Sequence, residues 1–232
     1  MIGDEFLCAV EEGVEVDAAF SGGTAHSAIT ALSRGRANIA AGRARHRAEG
    51  TVTSRSVHAG PGRPHHAAAT GGWALPMPTV DPQIVGRSAR AVERYGPDFR
   101  YTHHLSLPTL PVAAGLVGGA AAMGVLAQIP PARRAVLKRV PRGSGPSAAK
   151  RAKSWFKVTF VGEGGGRRVV TRVSGGDPGY DETARMLGES ALALAFDDLP
   201  ITAGQVTTVT AMGDALLDRL QKTDITFEVL DA

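Results

Sequence analysis

Three stretches of this sequence carry residue types that could do chemistry. In "FSGGTAHS" (20–27), two glycines sit between hydroxyl residues, at the point where an alternating segment gives way to helical spacing. Such a turn leaves free N–H groups at a helix N-terminus. With the Ser21 and Thr24 hydroxyls they suit a carbonyl, a carboxylate or a phosphate, and a plain capped turn uses the same residues. The other two, "GEGGG" (162–166) and "SGGDPGYDET" (174–183), are glycine-rich. A dinucleotide cradle needs glycines directly after a strand and opening a helix, so that N–H groups meet the pyrophosphate. "GEGGG" lies between two alternating runs and reads as a hairpin turn. The second stretch leads into a helix, but Asp177, Asp181 and Glu182 would repel a phosphate and suit a helix cap. No G-x-x-x-x-G-K-[ST] loop occurs, so no nucleotide module is visible.

Other chemistry is faint. His65–His66 and His103–His104 are adjacent pairs, and neighbours on a strand point to opposite faces, so neither pair makes a metal clamp. Cys8 is the single cysteine and lies among acids. That rules out an internal disulfide and disfavours a reactive thiolate. No G-x-S-x-G elbow supports a hydrolase.

The 232 residues are 43% hydrophobic and 21% charged, which suits a chain able to bury a core. Of the net charge of +4, much is concentrated in two runs, 33–66 and 133–153. Neither interleaves aromatics for base stacking, so nucleic acid is not expected as a partner. The N-terminus lacks the pattern of a signal peptide, and the expected address is cytoplasmic, with a peripheral position at the inner face of the plasma membrane.

The elements that must position these residues follow from periodicity. Val14, Val16, Ala18 and Phe20 alternate as a strand, and Ala25, Ala28, Ile29 and Leu32 keep helical spacing. From 43 to 72 the pattern is lost, and an Arg/His-rich loop is expected. A short helix starts near Pro82 with Asp81 as cap, and "PDFRYTHHLSL" (97–107) reads as a strand. From 105 to 132 there is no charged residue. This stretch is long enough to span a bilayer, and a buried or partner-packed helix, an in-plane helix and a span all remain open. A basic, hinge-like linker closes at 153. After it come two alternating runs, two amphipathic helices (Ala184 to Ala195, Val209 to Leu220) and a strand through Ile225, Phe227 and Val229. The expected fold is α/β (α+β), a mixed or antiparallel sheet with helices packed on one face. Its segments are 1–42 (strand, turn, helix), 43–72 (loop), 73–153 (middle segment with the uncharged helix and linker) and 154–232 (hairpin, two helices, strand).

Taken together, "FSGGT", "WALPMPTVDPQIVGRSARAVERYGPDFRYTHH", "WFKVTFVGEGGGRRVVTRVSGGDPGYDETARMLGESALALA" and "GQVTTVTAMGDALLDRLQKTDITFEV" resemble the C-terminal portion of saccharopine dehydrogenase-like oxidoreductases. The nearest branch is the actinobacterial one of trans-acting enoyl reductases. The resemblance covers most of the chain outside 43–72. It implies the second, substrate-shaping and dimerising domain of an NADP-linked Rossmann-type oxidoreductase, with the Rossmann half absent and no NADP bound by this chain alone. Saccharopine-forming members carry Pro and an acid after the paired glycines. Here Thr24, Ala25 and His26 stand there, which disfavours an amino-acid substrate. A lipid-like acyl chain, reduced at an enoyl group, is the expectation, with a homodimer or a missing Rossmann half as partner.

For such a reaction Ser21, Gly22, Gly23 and Thr24, with Arg87 and Ser88 of the family-like "VGRS", are the expected substrate-binding residues, and Tyr101 is the expected proton donor. A non-catalytic module that binds a membrane or another protein is the alternative.

Overall fold

The structure is a computed structural model that describes residues 7–19, 21–49, 55–77, 79–141 and 143–231. Phe20, expected on the first strand, lies outside the described residues. The framework is a mixed sheet of eight strands. Strand β1 (Leu7–Asp17) pairs parallel with β5 (Asp98–Leu107) and antiparallel with β6 (Trp155–Gly164). The sheet then continues through β7 (Arg167–Gly175) to β8 (Thr226–Asp231). On its other edge β5 takes two partners. Its first half pairs parallel with β2 (Ser56–Gly60), and its second half pairs antiparallel with β4 (Gly72–Pro76), which is followed outward by β3 (His65–Ala67).

The expected loop at 43–72 is therefore corrected. It holds the last turns of helix α2 (Gly35–Glu49) and both β2 and β3. These short strands have no clean alternation of their own. They form because β5 offers an open hydrogen-bonding edge to β2 and β4 offers one to β3, a tertiary cause that periodicity does not report.

The β6–β7 hairpin turns on Gly165 (φ 57°) and Gly166 (φ 73°). Two consecutive left-handed residues make the tight turn that matches strand twist, and glycine adopts it without strain.

Helix α3 (Asp81–Ala91) covers one face of β2 and β5. Its Ala89 packs on Phe99 and Tyr101, with Cys8, Val10, Val57 and Val85 around them. Truncating a buried phenylalanine such as Phe99 costs about 3–5 kcal/mol. Gly86 is what lets α3 come this close, since a Cβ there would lie 3.0 Å from that of Ala59. Asp81 is the first helical residue rather than the cap, which is Val80 and makes no side-chain capping bond. Helices α7 (Asp181–Phe196) and α8 (Thr208–Leu220) pack on each other, and α8 reaches α3. Gly213, counted in the apolar stripe of α8, has φ 50° and kinks it.

A second group of helices stands beyond the end of β5. Helix α1 (Gly22–Ser33) packs on α4 (Leu110–Gln128), which is followed by α5 (Pro130–Arg139) and the single turn α6 (Ala148–Arg151). Helix α4 is long and apolar enough to cross a membrane, yet only 11% of it is buried within the chain. It is not a core helix of the described fold.

Candidate functional site

The site begins with a register. Parallel pairing of β1 with β5 sets Glu12 opposite His103 and Val10 opposite Tyr101. Successive residues of a strand alternate between faces. Each adjacent pair, Glu11–Glu12 and His103–His104, is therefore split, and each face of the sheet receives one carboxylate and one imidazole. His103 and His104 therefore belong to opposite faces of the sheet. Among the described residues no group of three or more His, Cys, Asp or Glu could hold a metal ion.

On the face beneath α3, the Tyr101 hydroxyl donates to Glu12 Oε2. His103 Nδ1 lies 3.3 Å from that hydroxyl and 3.3 Å from Glu12 Oε1. The far nitrogen, Nε2, is buried without a hydrogen-bond partner and faces Asp81 Oδ2 at 3.8 Å. Asp81 is half exposed, so the chain Tyr101–Glu12–His103–Asp81 runs from a buried phenol to solvent. Burial pushes the Tyr101 phenol well above the usual tyrosine range, and the hydrogen bond to Glu12 and its charge push it further. For His103, burial works to lower the pKa, but the bond to Glu12 and the charges of Glu12 and Asp81 outweigh it and the net direction is up.

Tyr101 also lines a cleft of about 590 Å³ between β2, the start of α3 and β5, with Gly60, Pro82, Gln83, Arg90 and Arg100 around it. Tyr101 is 3% exposed, and a phenol buried beside a cleft with an imidazole 3.3 Å from its hydroxyl has the partners needed for proton transfer.

On the opposite face, His65 Nε2 meets Glu11 Oε1 at 2.8 Å, and the His65 ring stands edge-on to His104, centroids 5.1 Å apart. Its bond to the Arg63 carbonyl raises the His65 pKa. His104 is 1% exposed with both ring nitrogens unpartnered, and burial holds its pKa below the usual value. Cys8 is pushed up by burial, away from reactivity.

The other residues picked from sequence make contacts within the fold. Ser21 caps α1, its Oγ accepting from Thr24 N at 2.9 Å. Gly22 N donates to Ser144 O at 2.8 Å, and a Cβ on Gly22 would lie 2.1 Å from Pro141 O. The 140–144 segment thus closes over the turn, and His26 Nε2 joins it through Val140 O at 2.6 Å. Arg87 Nη2 donates to Gln205 O at 2.8 Å, and buried Ser88 donates to Thr207 Oγ1 at 2.8 Å. Thr207 caps α8, so this pair ties α3 to the start of α8. Among the described residues no hydrogen bond joins Ser21–Thr24, Arg87 or Ser88 to Tyr101.

What sequence reasoning missed is Glu12, His103 and Asp81. A signal for Glu12 existed: the row Cys8, Val10, Glu12, Val14, Val16 places one acid in an apolar face. Starting the strand at Gly13 hid it.

Neither glycine stretch fits a dinucleotide. Gly165–Gly166 form the β6–β7 turn. At the start of α7, Asp177 Oδ2 accepts from Tyr180 N at 2.7 Å, and Glu182 Oε1 accepts from Gly176 N at 3.4 Å. The N–H groups that a pyrophosphate would need are already held by carboxylates.

Comparison with known proteins gives sequence relatives. A Mycobacterium tuberculosis protein named "Putative trans-acting enoyl reductase" is 36% identical over 165 residues, covering 66% of this chain and 39% of that protein. The trans-acting enoyl reductase of Mycobacterium ulcerans is 35% identical over 144 residues, covering 56% of this chain and 34% of its own length. That of Mycobacterium leprae is 34% identical over 139 residues, covering 54% and 33%. No protein-family model matches the chain, and no solved structure matches it. The chain is similar to proteins named trans-acting enoyl reductases and spans about 39% of the length of the first of them.

Proposed function

We propose that this chain forms the substrate-side part of an NADP-dependent enoyl reductase of the saccharopine dehydrogenase-like type, acting on acyl chains of a lipid or polyketide. The observation that carries this reading is the 36% identity over 165 residues to a protein named "Putative trans-acting enoyl reductase". Its supports in the fold are the cleft and the protonated phenol on its wall.

Reduction of an enoyl thioester adds a hydride at one carbon and a proton at its neighbour. Because the glycine stretches here do not fit the dinucleotide, the hydride is assigned to another domain or chain. The residues described supply the proton half. Tyr101 gives its proton to the enolate carbon, a stronger base than a phenolate, and regains one from His103 Nδ1. Glu12 holds both groups in place, and Asp81 opens His103 to solvent. In this reading Arg87 and Ser88 hold α3, which lines the cleft, to the chain before α8.

The test is a chimera in which the matching residues of the Mycobacterium tuberculosis relative are replaced by this chain, assayed for NADPH oxidation with a series of enoyl thioesters. Activity that Tyr101→Phe lowers by about 100-fold or more, the usual scale of general-acid catalysis, is the expected result. If the relative reduces these thioesters and the folded chimera reduces none, the reading is lost.

A further inference from the structure

We propose that α4 lies in the plane of an anionic lipid bilayer, with the cations of α5 and of the α1–α2 junction set on the lipid headgroups. Leu110, Val112, Leu116, Val117 and Val125 are each 45–64% exposed. At about 100° per residue they point in all directions around the axis. A helix apolar on all sides requires an apolar cover. The chain supplies little of it: only Ala113 and Ala127 of α4 are buried.

Both ends of α4 are held to the fold. It follows directly on β5 and packs on α1, and Gln128 Nε2 donates to Leu32 O at 2.9 Å. A helix that packs on α1 and is bonded to it at its last turn would have to carry the polar residues of α1 into the bilayer in order to stand along the normal. It can lie on the surface with its outer sides in the acyl boundary.

Charge names the occupant. From Phe99 to Gly162 the chain has no Asp or Glu, and from Ala18 to Val80 it has only Glu49. Arg94, Arg151, Arg168, Arg185 and Arg219 are matched to acids within the chain. Among the described residues no such ion pair neutralises Arg34 at the α1–α2 junction, or Arg133, Arg134, Lys138 and Arg139 on α5. These cations flank the apolar helix, and anionic headgroups supply their missing counter-charge. The inference rests on exposure and charge and does not depend on the reductase reading.

The test is flotation of the full chain with vesicles of phosphatidylcholine alone, or of phosphatidylcholine mixed with phosphatidylglycerol. Binding should favour the anionic vesicles by about 10-fold or more and weaken with salt. Glutamates at two exposed positions, Val117→Glu with Val125→Glu, should abolish it while the circular dichroism stays that of the parent. Arg133→Glu with Arg134→Glu and Lys138→Glu, changed independently, should remove the preference for anionic lipid. Alkaline carbonate should release the bound protein.

Equal flotation with neutral vesicles, or none with either, overturns the proposal, as does retention after carbonate, which would mean a span. So does a dimer in solution that the Val117→Glu and Val125→Glu changes dissociate without any vesicle binding, since a second copy would then be the cover.

Discussion

The Tyr101 hydroxyl donates to the carboxylate of Glu12, a residue 89 positions away, across the parallel pair of β1 and β5. The bond exists because the register sets Val10, not Glu12, level with Tyr101, so the phenol reaches the next carboxylate along the same face. With His103 level with Glu12, one carboxylate is shared between a phenol and an imidazole.

Glu12→Gln should therefore release both partners at once. The His103 pKa is expected to fall, because burial then acts with only Asp81 opposing it, and the Tyr101 phenol should ionise at lower pH than in the parent. NMR titration of the imidazoles and ultraviolet titration of the phenols measure the two effects. An unchanged His103 titration would sever it from Glu12.

His103 and His104, adjacent in sequence, should impose opposite pH dependences on stability. The folded pKa of His103 is raised from 6.5, so its contribution is complete below that value and is lost as pH rises through the folded value. That of His104 is lowered from 6.5, so its contribution is complete above 6.5 and is lost as pH falls. Urea melts between about pH 5 and 8 should show His103→Gln flattening the alkaline side and His104→Gln the acid side. The reverse pattern would contradict both assignments.

Gly22→Ala should be costly although glycine is ordinarily a poor helix residue. The added methyl would lie 2.1 Å from Pro141 O and 2.6 Å from Ser144 Oγ, so the 140–144 segment must move. A loss of about 1–3 kcal/mol is expected. Gly23→Ala, whose nearest contact would be Ser21 Oγ at 3.5 Å, is the control and should be tolerated. Thermal melts of the two variants decide it.

Ser88 and Thr207 should couple. Removing either hydroxyl breaks this bond while Ser88 keeps Ile84 O and Thr207 keeps Thr210, at a cost of about 0.5–1.5 kcal/mol, and Thr207 also caps α8. In a cycle of Ser88→Ala and Thr207→Val, the double variant should lose less than the sum of the singles. Additive losses would show that the 2.8 Å contact contributes nothing.

The sequence by itself determined the regular parts of this protein. Alternation through "WFKVTF" and "RRVVTRVS" around consecutive glycines is enough to specify the β6–β7 hairpin, because pleat and turn geometry are local. The helical spacing behind α7 and the acids at its start are equally local, as is the separation of His103 from His104 to two faces. The tertiary structure alone decided the rest. Strand β2 exists because β5 lends it an edge and β3 because β4 does, so a segment without periodicity became sheet. The Ser21–Thr24 turn, open by its residues, is covered by a segment more than a hundred positions later. Ser88 donates to the cap of α8 because α8 packs beside α3. The Glu12–Tyr101–His103 group depends on which strand lies next to β1 and in what register. Those choices are made by long-range packing, and no window of the sequence contains both partners.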